Sequence, residues 1–233
     1  MEPLHFISAF RAREGKIDIK NAIWYAAAAA GLAATEQGQH MPELYRLATD
    51  GLPLEDRKIV QRRIKEAVLK GVILYGVPRS AQALGPLYEI LTDEEIDTYG
   101  PRYVDSIVSK DKDTKRIERG RKYFDTLWTP ISADQMRRQI LKYNTDSHFC
   151  LELLYEHYVS EDGILSPIET QICYATLLTC YNAPTQALWH TRGIVRHGGT
   201  IGQARFAQDL GLALAEQFDC KTGDITMVDE IEF

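Results

Sequence analysis

The 233-residue sequence has little of several things, and each shortage excludes a class of protein. Four cysteines, Cys150, Cys173, Cys180 and Cys220, are too few for a disulfide scaffold in a chain of this length. A basic excess is missing: 27 Lys and Arg stand against 33 Asp and Glu, for a net charge of −6. That mild acidity argues against a nucleic-acid partner, which would require a basic stripe. The longest uncharged apolar run, Ala22 to Ala34, has 13 residues, short of a membrane span. With 45% hydrophobic and 26% charged residues, the composition is that of a folded chain.

Met1 to His5 lacks the basic-then-apolar layout of a secretory signal, and Asp229 to Phe233 matches neither a retention nor a peroxisomal address. A cytoplasmic location is the expectation. Arg11 and Arg13 leave a mitochondrial presequence open, against the presence of Glu2 and Glu14.

Almost every segment has a helical period. Val60, Ile64, Ala67-Val68, Gly71 and Tyr75 recur at three and four residues, with Arg57, Lys58, Arg62, Arg63, Lys65 and Glu66 opposite, which predicts an amphipathic, half-exposed helix. A second helix follows Val77-Pro78, its proline in the first turn. Thr92 to Glu95 reads as the capped start of a short helix. The charged stretch Ser109 to Arg116 reads as a solvated link or helix start, and as the boundary between two halves. Further helices are expected over Ser132 to Tyr143, Ser147 to Tyr158, Ile164 to Tyr181, and from Thr200 to about Gln217, with Thr200 and Gln203 as a capping box. Gly198 suits a helix stop, and His197 just before it suits a C-terminal cap. The class is all-α.

The second half repeats the first. Tyr75-Gly76-Val77-Pro78 and Tyr181-Asn182-Ala183-Pro184 each join a long helix to a second one, at an offset of 106 residues. The division is therefore 1–108, 109–220 and an acidic tail, 221–233, read as a loop or arm.

Within the second half, Leu165 to Cys180 carries Gln171, the turn through Pro184 leads to Gln186 and His190, and Gly198-Gly199-Thr200 follows eight residues on. This run resembles the carboxymuconolactone decarboxylase family of the alkylhydroperoxidase D-like superfamily. The likeness covers 165–215, with Arg119 to Tyr158 similar to the preceding helices of fungal-type members and 20–105 similar to a degenerate first copy. Family members carry a glutamate nineteen residues before the histidine, where this chain has Gln171. The peroxidase branch has a Cys-x-x-Cys where this chain has Ala183 and Gln186, so thiol peroxidase chemistry is not expected. The resemblance implies a cofactor-free, homo-oligomeric protein acting on a small molecule.

His190 is the residue best suited to proton transfer, since imidazole takes and returns a proton near neutrality. Gln186 lies one turn earlier, placed to orient the ring or hold a substrate oxygen. Gln171 cannot exchange protons, so it is left to polarise a carbonyl. Glu169 lies on another helix face and reads as a first-turn cap. Tyr181, Trp189, Cys173 and Cys180 are candidates to wall a substrate pocket. Cys173 and Cys180, about 10 Å apart along one helix, cannot bridge. His148 and His157 have no acidic partner at ligand spacing, so no metal is expected. The first-copy counterpart of His190 is Leu84, which makes that copy silent. A self-association stripe is expected on Ala204, Ala207 and Leu214.

Two functions fit. One is a lyase or isomerase type of enzyme using His190 as general acid and base on a cyclic or enolisable substrate. The other is a non-catalytic helical oligomerisation or binding module with a decayed site. An open polar pocket at His190 favours the first, and a closed dry one the second.

Overall fold

A helix made of alanine can be covered on every side, because no side chain keeps its neighbours away. Ala26 to Ala30 form such a stretch, and none of the five exposes any surface. The computed structural model describes residues 3–108 and 112–233. The described residues form twelve α-helices: α1 (Ile7–Glu14), α2 (Trp24–Ala34), α3 (Met41–Thr49), α4 (Leu54–Tyr75), α5 (Val77–Glu89), α6 (Pro101–Val108), α7 (Lys112–Trp128), α8 (Pro130–Tyr143), α9 (Thr145–Leu154), α10 (Pro167–Cys180), α11 (Pro184–Arg196) and α12 (Ile201–Gln217). No strand occurs among them.

Two helices are the axis of the fold. α2 is buried along its whole length, and α10 from Thr170 to its end. They pack against each other, with α4 and α12 against both and α11 against α10. Small residues set these approaches. A β-carbon on Gly211 of α12 would lie 2.7 Å from the Thr176 carbonyl oxygen of α10, and one on Gly31 of α2 would strike Leu214. Ala204, Ala207 and Leu214 are buried inside the chain in this way, so the stripe expected to need a partner is already covered. Core residues from Leu4 to Ile231 belong to one cluster, spanning both halves of the sequence.

Helix ends follow their local signals. Ser166 with Glu169, and Thr200 with Gln203, form capping boxes. Pro78, Pro167 and Pro184 sit in first turns, and Gly198 stops α11 at φ 96°. The two proline turns join α4 to α5 and α10 to α11. Arg63 of α4 donates to Glu169 of α10 at 2.6 Å, and the two residues are 106 apart, the same separation as the two turns.

Four expectations change. The charged face of α4 is only partly solvated: Arg57, Lys58, Arg62 and Lys65 are half-exposed as expected, but Arg63 and Glu66 are buried, as are Gln61 and Lys70 on the same helix. Each has a partner from a different part of the chain: Gln61 from the segment after α5, Arg63 from Glu169 of α10, Glu66 from Arg102 of α6, and Lys70 from Val159 and Thr170. Thr92 to Glu95 is a turn rather than a helix, since Gln61 takes the Glu95 carbonyl and the Asp97 amide, both at 2.8 Å. The tail docks along α12: Gln208 bonds Thr226 and Val228, and Arg205 pairs with Asp229. α9 passes into a π-turn at Tyr155–Val159, short of the expected single helix. Of the proposed boundary, residues 109–111 lie outside the described residues, and α7 begins at Lys112.

Candidate functional site

α10, α11 and α7 bring one polar side chain each into the same buried space. His190 of α11 is 5% exposed and Gln171 of α10 fully buried. The His190 Nδ1 lies 2.8 Å from Gln171 Oε1, and Gln171 Nε2 donates to the Tyr123 hydroxyl of α7 at 2.7 Å. An amide oxygen only accepts, so Nδ1 carries the proton and Nε2 is the basic nitrogen. Gly193 makes the room: a β-carbon there would fall 2.5 Å from both Gln171 Oε1 and Leu127 Cδ1. Tyr174 meets the imidazole edge-on at 5.1 Å, and Trp128 stands at 6.5 Å.

Burial, helped by nearby His197, pushes the His190 pKa down to about 3. The imidazole is therefore neutral. Glu169 gives it no help, being engaged with Arg63 and with the Ser166 amide that it caps.

The other sequence candidates are dispersed. Gln186 is exposed, outside this network. Trp189 is half-buried and packs edge-on against Trp128 at 4.9 Å. Tyr181 lies at the far end of α10 beneath the Arg79 guanidinium, 4.8 Å from its ring centre. There it lines a separate cleft of about 310 Å³ with Cys180 and Cys220. The Cys180 thiol lies 3.3 Å from the Leu177 carbonyl oxygen, and burial raises its pKa. Burial likewise pushes the Cys173 thiol up to about 12. Neither is a nucleophile at neutral pH. A colorimetric disulfide reagent is accordingly expected to label exposed Cys150 first and half-buried Cys220 more slowly. Cys173 and Cys180 should react only in denaturant, and fast labelling of either in the native protein would contradict their burial.

Sequence reasoning missed Tyr123. It is 48 residues from Gln171 and looks like any aromatic on a helix face. Its ring lies tilted against that of His197, with centres 4.5 Å apart, and both line an open cleft of about 430 Å³ that His190 does not line. No trio of His, Cys, Asp or Glu among the described residues is arranged to hold a metal. None of the described helices is long and apolar enough to cross a membrane.

These features define an all-helical protein with a buried His–Gln–Tyr chain beside an open cleft. No family model matches the sequence, and no solved structure matches it. The chain is similar to Peroxisomal protein 2 of the fission yeast Schizosaccharomyces pombe, at 23% identity over 156 residues, 66% of this chain and 70% of that protein.

Proposed function

We propose that the chain is a small-molecule-binding helical protein of the peroxisome, with the alkylhydroperoxidase D-like fold of the carboxymuconolactone decarboxylases but without their proton relay. The observation that carries this reading is the state of His190: buried, neutral and bonded to an amide. A general base works best with a pKa near the working pH. One held at about 3 is roughly four units too weak at pH 7, and Gln171 cannot take the proton onward. In this reading the imidazole ties α11 to α10 and, through Gln171, to α7. The compartment rests on the name of the fission-yeast relative, and a tagged chain is expected in the peroxisomal fraction.

A second reading keeps His190 as general acid and base in a lyase or isomerase. One observation favours it: Tyr123 belongs both to the chain ending at His190 and to the wall of an open cleft. The two readings separate in one experiment. Small cyclic and aryl acids that raise the melting temperature are incubated with the protein and recovered. Ligand returned unchanged supports the binding protein. Conversion that disappears in His190→Asn overturns it and establishes the enzyme.

A further inference from the structure

The cleft beyond Tyr123 has a composition that the His190 chain does not explain. Lys115, Arg119 and Lys122 follow one another at the i, i+4, i+7 spacing of a single helix face, and all three line it. Among the described residues no ion pair engages any of them. Arg119 is half-buried and anchored, its Nε donating to Ser160 Oγ at 3.3 Å. The Tyr123 ring of α7 and the His197 ring at the end of α11 line it as well, and His197 Nε2 is buried with no hydrogen-bond partner.

We propose that this cleft binds a small ring-bearing organic acid, its carboxylate or phosphate on the three α7 cations and its ring against Tyr123 and His197. Three like charges on one helix face repel one another, and an anion between them removes that cost. The volume of about 430 Å³ lies in the range of small-ligand sites. Glu118 and Asp162 at the same cleft offset two of the three charges. That balance fits a ligand with one acidic group and disfavours a polyanion. The inference deepens the small-molecule reading by naming the ligand class and its place, which is distinct from His190.

Calorimetric titration with benzoate, phenyl phosphate and inorganic phosphate tests it at low and high salt. At least one aryl acid is expected to bind with a dissociation constant of about a millimolar or tighter, and more weakly in high salt. Arg119→Gln should weaken it about tenfold or more. The exposed pair Lys115→Gln/Lys122→Gln should weaken it comparably with the melting temperature unchanged, which covers the case that Arg119→Gln disturbs the fold. Preference between benzoate and phenyl phosphate assigns the acidic group. No aryl-acid binding, equal binding of inorganic phosphate, or binding indifferent to the lysine pair overturns the site. Those outcomes leave His190 untouched, whereas turnover lost in His190→Asn would strike the binding-protein reading alone.

Discussion

His190→Asn is expected to be weaker than the native protein at pH 7.5 and close to its equal at pH 5. The asparagine amide takes the position of Nδ1 and can donate to Gln171 Oε1, which today accepts from the imidazole at 2.8 Å. What is lost at pH 7.5 is packing, about 1–2 kcal/mol. Acid then removes the difference. The folded imidazole titrates at about 3, below the ordinary value near 6.5 that it has in the unfolded chain. The unfolded state therefore binds more protons between those limits, and native stability falls as pH drops through that window. The slope approaches about 1.4 kcal/mol per pH unit, so the gap between the two proteins should close by about 2 kcal/mol between pH 6.5 and 5. His197, held down to about 4 by burial, adds slope of the same sign to both proteins and cancels in the comparison. Urea unfolding across this range measures the effect. Parallel curves would mean that folded His190 titrates like a free histidine, as an acid–base catalyst would.

The same pair of residues shows what the sequence could and could not reveal. The spacing of Gln171 and His190 places each on a helix joined by a short proline turn, and the structure brings them into contact. Capping boxes, first-turn prolines and the Gly198 stop were legible because each acts within four residues. Tyr123 was not, since its bond to Gln171 depends on how α7 lies across α10 and α11. Gln186 shares the spacing of His190 but sits near the open end of α11, where nothing covers it. The face of α4 shows the converse failure. Helical periodicity identified Arg63 and Glu66 as lying opposite the apolar stripe, but which faces solvent depends on what the chain later lays over them. Here 92–102 and α10 do so, and the charges are buried.

Glu66→Gln is expected to cost about 3–5 kcal/mol, because it leaves the buried Lys70 and the half-buried Arg102 without the carboxylate between them. Glu66 is 3% exposed and accepts from the Arg102 guanidinium at 2.9 and 2.8 Å, while Lys70 Nζ, 1% exposed, stands 3.8 Å away. The cations have a second task at the π-turn, whose carbonyls fall out of the regular helical ladder. Arg102 donates to His157 O at 2.8 Å and Tyr158 O at 2.6 Å, and Lys70 to Val159 O at 3.1 Å and Thr170 Oγ1 at 2.6 Å. The cluster thus fastens α4, α6, α10 and the π-turn together, and it fixes Ser160, the anchor of Arg119 in the acid-binding cleft. A loss of this size corresponds to a melting temperature lower by roughly 10 °C in a chain this long. The pH dependence identifies the cause. Burial already pulls the Lys70 pKa down to about 8, with Glu66 opposing it. Without that carboxylate the folded pKa drops further, so the unfolded chain binds the extra proton over a wider window and stability rises with pH through it. The variant should therefore regain more stability than the native protein between pH 7 and pH 9 in urea unfolding. A loss below about 1 kcal/mol at pH 7, with no steeper gain toward pH 9, would show that water reaches the cluster and that Glu66 is not its neutralising centre.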